Sequence, residues 1–162
     1  MIRIVIAEDQ ELLLGAIGSL LDLEEDMEVL GLANNGEEAV RLVHQMKPDV
    51  CIMDMEMPQK TGIEAAEELK LLECKVIILT TFARNGCYKR VIEAGIRGYL
   101  LKDSPSEELA GSIRSIVNGN RIYTPELMDQ AAGPDAPAPV TPIKSVKTYF
   151  STLKDKIKLP AG

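Results

Sequence analysis

Short runs of β-branched and other apolar residues recur at Ile2 to Ala7, Glu28 to Ala33, Val50 to Asp54, Val76 to Thr80 and Gly98 to Leu101. Between and after them, apolar positions return with a period near 3.6 over Gln10 to Leu23, Gly36 to Met46, Gly62 to Leu72, Gly86 to Ala94 and Ser106 to Asn118. Strand patterns that alternate with helix patterns predict a parallel sheet. Cys51-Ile52-Met53 and Val76-Ile77-Ile78-Leu79 are apolar at consecutive positions, as strands covered by helices on both faces must be. The pattern therefore predicts a doubly wound α/β sandwich of about 125 residues. In Ser104-Pro105-Ser106-Glu107, Pro and an acid fall in the first turn of the last helix, and Gly119 follows its end.

Beyond residue 130 the pattern stops. Ala131 to Pro142 is rich in Pro and Ala and predicts an extended linker. After it, Ile143, Val146, Phe150, Leu153 and Ile157 form an apolar stripe with Lys144, Lys147, Lys154 and Lys158 around it, the pattern of a basic amphipathic helix over 143–162. Residues 1–130 carry 13 basic and 23 acidic side chains, whereas 131–162 carry 5 and 2. The predicted organisation is a domain at 1–130, a linker at 131–142 and a tail that is either foreign to the domain or a natural partner-binding or lipid-binding helix.

Composition narrows the function classes. The 162 residues accommodate one domain and little more. A net charge of -7 argues against broad attraction to nucleic acid or anionic lipid. No apolar run approaches the roughly 20 residues of a membrane helix. The N-terminal segment lacks the pattern of a secretory signal, so a cytoplasmic location is expected. Cys51, Cys74 and Cys87 show no metal-binding spacing, and with the single His44 they make no zinc set; they read as idle thiols. Two Phe, four Tyr and no Trp leave few stacking platforms for single-stranded nucleic acid.

In open parallel sheets ligands bind beyond the carboxyl ends of the strands. Those ends are polar here: Glu8-Asp9 after the first run, Asp54 at the end of the third, Thr80-Thr81 after the fourth and Lys102 after the fifth. Singly, Asp9 could cap the helix that follows and Thr80 could simply finish a strand. Jointly, three carboxylates, a hydroxyl and an ammonium converge on one edge. Crowded carboxylates repel one another unless a cation joins them, and oxygen donors from Asp9, Asp54 and a backbone carbonyl suit Mg²⁺. Asp54 is then placed to act as a nucleophile toward a phosphoryl group, with Lys102 and Thr80 holding the other oxygens.

These residues resemble the receiver domain of bacterial two-component response regulators. The matching elements are Glu8-Asp9, Asp54 with Met57-Pro58 and Gly62, Thr80, and Tyr99 and Lys102 within Gly98-Tyr99-Leu100-Leu101-Lys102-Asp103. Leu79-Thr80-Thr81-Phe82 and Gly98 to Ser104 are similar to the NarL/FixJ (LuxR-type) branch of transcription regulators. The resemblance covers about residues 1–130 and implies a CheY-like (flavodoxin-like) sheet of five parallel strands in the order 2-1-3-4-5, flanked by five helices. It also implies that Asp54 accepts phosphoryl from a sensor histidine kinase, a phosphoacceptor switch more than an enzyme. Asp9 and the Glu56 carbonyl would bind Mg²⁺ with Asp54, Glu8 acting through water; Lys102 would pair with the phosphoryl oxygens. Thr80 and Tyr99 would carry the switch, and Glu56 and Phe82 would tune loss of the phosphoryl group. Met57-Pro58 and Gly62 read as loop-shaping. The branch contacts DNA through a C-terminal helix-turn-helix domain, and residues 131–162 do not read as one.

Two other classes stay in view. A phosphatase of the haloacid dehalogenase type also forms an aspartyl phosphate, but its nucleophile follows the first strand with a second Asp two residues on, whereas Glu56 stands at that place here. A stand-alone docking module with the basic tail as effector is the other. On the first helix, Leu13, Leu14, Ile17, Leu20 and Leu21 form a stripe expected to face the sheet, while Leu12, Ala16, Ser19 and Leu23 form a second row about 100° away. One core cannot bury both, so the second row predicts a homodimer surface shared with the last helix and favoured by phosphorylation.

Overall fold

The structure, a computed structural model, describes residues 1–81, 86–103 and 106–130. Phe82, the Ser104-Pro105 turn, the linker and the basic tail lie outside the described residues. The elements run β1 (Ile2–Ala7), α1 (Glu11–Asp22), β2 (Met27–Ala33), α2 (Gly36–Met46), β3 (Val50–Asp54), α3 (Gly62–Leu69), β4 (Lys75–Thr80), α4 (Tyr88–Glu93), β5 (Gly98–Leu101), α5 (Ser106–Val117), β6 (Ile122–Tyr123) and α6 (Pro125–Gln130). All neighbouring strands pair in parallel, in the order β2-β1-β3-β4-β5-β6.

Every central strand feeds two cores by its two-residue alternation. Ile4 and Ile6 of β1, Val50 and Ile52 of β3, and Ile77 and Leu79 of β4 pack with Leu14, Leu21, Leu109, Ile113 and Ile116 of α1 and α5. Val5 and Ala7, Cys51 and Met53, and Val76 and Ile78 pack on the other side with residues of α2, α3 and α4. Two layers of helix over one sheet follow from that alternation. The thiols sit as expected, with no disulfide: burial pushes Cys51 well up and Cys74 up to about 12, which leaves both protonated near neutrality.

Local chemistry sets the helix starts. The Asn35 side chain accepts from the Glu38 N–H at 2.7 Å to start α2, and Thr61 and Glu64 exchange side-chain-to-backbone hydrogen bonds across the first turn of α3. α1 begins after Gln10 with no side-chain cap, so capping does not account for Asp9. α3 stops at Leu69 rather than Leu72, its last turn tightening as the Leu72 N–H bonds the Leu69 carbonyl, and α4 spans only Tyr88 to Glu93.

The sheet has a sixth strand and a sixth helix beyond the expected five. β6 is two residues long, too short to show a period. It pairs Gly98 with Ile122 and Tyr99 with Tyr123 along the outer edge of β5, and the Tyr123 hydroxyl donates to the Ile96 carbonyl at 2.7 Å. α6 follows Thr124-Pro125-Glu126, a cap residue, Pro at the first helical position and an acid in the first turn. Its Leu127 is buried in the α2–α4 side core.

Gly62 is a tight joint beneath the carboxyl edge of the sheet, directly under the strand that carries Asp54. A Cβ there would stand 2.6 Å from the Asp54 carbonyl oxygen and 2.8 Å from Ile78 Cδ1. Gly62→Ala should therefore destabilise the fold by about 1–3 kcal/mol, the range for overpacking. Urea unfolding should show a lower midpoint at unchanged slope; an unchanged midpoint would count against this account.

Candidate active site at the carboxyl edge of the sheet

The parallel register brings three strand ends to one place. β1 and β3 lie side by side with Ala7 opposite Met53, and β3 and β4 with Asp54 opposite Leu79. Glu8, directly after β1, continues the ladder by donating its N–H to the Ala33 carbonyl and is buried, as is Asp54 at the end of β3. Lys102 follows β5, held by its own N–H to the Thr80 carbonyl at 2.7 Å. Its ammonium reaches Glu8 Oε1 at 2.8 Å and Asp54 Oδ2 at 2.9 Å. Asp54 Oδ1 accepts from the Glu56 N–H at 3.4 Å, and Glu8 Oε2 from the Asp9 N–H at 3.2 Å.

Carboxylate oxygens of Glu8, Asp9 and Asp54 all lie within 4.8 Å of one another, with Asp9 exposed at the mouth. One ammonium cannot neutralise three carboxylates. Burial first, then the hydrogen-bonded carboxyl of Asp54, push Glu8 up to about 7 against the pull of Lys102. Burial works against the charge on Lys102 too, but its hydrogen bonds to Glu8 and Asp54 outweigh it and hold its pKa above the ordinary lysine value. A hard, oxygen-preferring dication fits this donor set, since it would relieve the repulsion that protonates Glu8.

The remaining expected residues distribute as follows. Thr80 is buried at the end of β4, between the strand that carries Asp54 and the one that leads to Lys102. Tyr99 is fully buried in the α2–α4 side core. The side chain of Glu56 is exposed. On α1, Leu12, Ala16, Ser19 and Leu23 all face outward, Leu12 with 93% and Leu23 with 79% of its surface exposed. Leu20 departs from expectation: instead of facing the sheet it is 45% exposed. The reason is a gap between α1 and the sheet end, a groove of about 110 Å³ lined by Leu13, Ala16, Ile17 and Leu20 on one side and by Leu101 and Leu109 on the other. Lys102 lines the same groove. The wheel could not reveal this, because a helix period does not tell how closely its apolar face seats.

Residues 4–114 match the response regulator receiver domain family. The chain belongs to that family. It is similar to the transcriptional regulatory protein DesR of Bacillus subtilis, with 67% identity over 129 residues that make up 80% of this chain and 65% of that protein. The response regulator protein VraR of Staphylococcus aureus is 32% identical over 129 residues, 78% of this chain and 62% of that protein. The chain thus spans about two thirds of the length of these curated relatives. Among solved structures, a DNA-binding response regulator of the LuxR family from Staphylococcus aureus superposes with a TM-score of 0.69 at 38% identity, covering 73% of this chain and all of that one. The receiver fold, the relation to LuxR-type regulators and the strand order 2-1-3-4-5 are as the sequence implied, with β6 added at the edge. No described helix is long and apolar enough to cross a membrane.

The raised pKa of Glu8 has a sign that can be checked. In metal-free buffer the folded receiver keeps a proton that the unfolded chain has released, so this contribution to stability is complete below an ordinary glutamate pKa of about 4.3 and is lost as pH rises through about 7. The melting temperature of the metal-free protein should therefore fall between about pH 5 and pH 8, less so in Glu8→Gln, and Mg²⁺ should restore it. Equal pH slopes in both proteins would refute the assignment.

Proposed function

We propose that this receiver domain is the cytoplasmic phosphoacceptor switch of a DesR-like transcription regulator, serving control of a membrane-lipid desaturase, and that it takes its phosphoryl group from a DesK-like sensor histidine kinase. What carries the reading is the half-buried Lys102 ammonium held at 2.8 and 2.9 Å between the buried Glu8 and Asp54, with a third carboxylate at the mouth. Asp54 is the nucleophile: its carboxylate oxygen forms the new P–O bond while the donor's P–N bond breaks and the imidazole keeps the electron pair. Asp9, Asp54 and the Glu56 carbonyl would hold Mg²⁺, with Glu8 acting through water. The ion supplies charge neutralisation of the incoming phosphoryl oxygens. The 67% identity to a protein named as a transcriptional regulator supports the assignment of the output.

Lys102 then exchanges its carboxylate partners for phosphoryl oxygens, and Thr80 and Tyr99 follow. Because Lys102 also lines the apolar groove under α1, its movement bears directly on how α1 seats. The output is a homodimer through Leu12, Ala16, Ser19 and Leu23 of α1 together with α5, favoured by phosphorylation as a population shift. Contact with DNA belongs to a helix-turn-helix domain outside the receiver. The domain occupies 1–130, followed by a linker and a tail.

Incubation with a small phosphodonor and Mg²⁺ should add the mass of one phosphoryl group to the wild-type protein and none to Asp54→Asn. Full phosphorylation of Asp54→Asn would overturn the acceptor assignment.

Lys102→Ala should retain slow phosphorylation yet fail to dimerise. Leu12→Glu should phosphorylate normally, with dimer affinity weakened by roughly tenfold or more in light scattering. Undiminished dimerisation of the Leu12 variant would place the contact elsewhere.

A further inference from the structure

The opposite, amino-terminal end of the sheet holds a groove of about 830 Å³. Lys47, Lys70, Lys75, Arg97 and Arg121 line it, against only two carboxylates, Asp49 and Glu73. The domain as a whole is acidic, with 13 basic and 23 acidic residues up to position 130.

The partners of the described cations set this groove apart. Arg41, Lys60, Lys89, Arg90, Lys102 and Arg114 each meet a carboxylate, and Arg3 donates to the Met46 and Lys47 carbonyls. Among the described residues, the five cationic side chains with neither an ion pair nor a side-chain hydrogen bond all line this one groove. Attraction to helix ends explains only part of this. Lys47 and Lys70 cap the C-termini of α2 and α3, where a positive charge is favoured. Lys75 opens β4, while Arg97 and Arg121, each four residues past the end of a helix (α4 at Glu93, α5 at Val117), immediately precede β5 and β6. Beside the cations stand Leu71, 95% exposed, and the partly exposed Leu72.

The geometry points to this groove as a docking site for a short acidic segment of another protein that carries apolar side chains to meet Leu71 and Leu72. Its volume lies in the range of sites that enclose a ligand. A membrane or a DNA duplex would extend its negative charge over the acidic surface beyond the groove, whereas a short segment confines its charge to the cations within about a Debye length. The groove lies at the end of β3 away from Asp54, four residues or roughly 13 Å along the strand, so docking leaves the phosphoacceptor accessible.

The test uses the full chain and a dye-labelled peptide of alternating Glu and Leu, titrated by anisotropy at low and high salt and mapped by amide chemical shifts. The expected result is salt-sensitive binding, with shifts confined to residues 47–49, 70–75, 97 and 121. Lys70→Gln with Arg121→Gln should weaken binding on the order of tenfold, and Leu71→Ser should weaken it at high salt, where charge is screened. Both altered cations are exposed and make no described ion pair, so an unchanged melting temperature accompanies the loss. If the variants unfold, the footprint on the wild-type protein still decides. Shifts elsewhere, tighter binding to a DNA duplex or to phosphatidylglycerol vesicles, or binding to none of these would overturn the proposal.

Discussion

The Lys102 bridge between Glu8 and Asp54 is the contact on which the geometry of this receiver turns. Its three participants are separated by 46 and 48 residues of chain, and only a parallel register that aligns the ends of β1, β3 and β5 brings them within 3 Å of one ammonium. Glu8 and Asp54 are both buried, so loss of Lys102 would leave costly unpaired charge on them. A third carboxylate within 4.8 Å then leaves the cluster short of positive charge. On the proposed reading the apparent flaw is the functional feature: an acidic cluster held open by its backbone would take a dication, and a lysine shared by two carboxylates would have somewhere else to go when phosphoryl oxygens arrive. Gly62 belongs to the same design, since a side chain there would press on the carbonyl of Asp54 itself.

On the same reading, this lysine would carry a local charge event to a surface. Its stem lines a gap of about 110 Å³ between α1 and the sheet end, so α1 is not packed to interior density at the place nearest the site. An under-filled seam can take two arrangements with little cost, which a fully packed one cannot. On the far side of the sheet, Tyr99 is buried among the residues of α2, α3, α4 and α6, and its backbone pairs with Tyr123 of β6. On the proposed reading, displacement of Thr80 or Tyr99 would be felt at the start of α6, and displacement of Lys102 at α1.

What was legible in the sequence follows physical lines. Alternating short apolar runs and helical periods disclosed the five main strands, most clearly the central β3 and β4, which are apolar on both faces, and the polar residues after four of those runs disclosed Glu8, Asp9, Asp54, Thr80 and Lys102. Sequence order alone places those residues at strand ends, and parallel topology does the rest. β6 was hidden because two residues carry no period, and α6 because Thr124-Pro125-Glu126 sits next to a Pro-rich stretch that reads as linker. The position of Leu20 was misread because a helical wheel reports direction and not depth. The Glu8-Lys102 pairing, and with it the raised pKa of Glu8, needed coordinates: both residues were candidates, but distance decides which carboxylates an ammonium chooses.

Charge is divided along the strands as sharply as hydrophobicity is divided across them. Carboxylates gather at the carboxyl end, where Lys102 is the cation they share; five cations without an ion pair among the described residues gather at the amino end, where helices α2 and α3 finish. Helix dipoles favour this polarity, because their positive ends point toward the carboxyl edge and their negative ends toward the other. Yet dipoles act mainly within the last turn of a helix, so they do not by themselves hold Lys75, Arg97 and Arg121 unpaired at the starts of strands. Arg114 shows the alternative available to a surface cation in this domain, its guanidinium shared between Glu24 and Asp26. With acids in excess elsewhere on the domain, leaving five cations together is a surface charge pattern that raises local positive potential, and potential of that kind steers an anionic segment to one end of the sheet while the opposite end remains open to a phosphodonor.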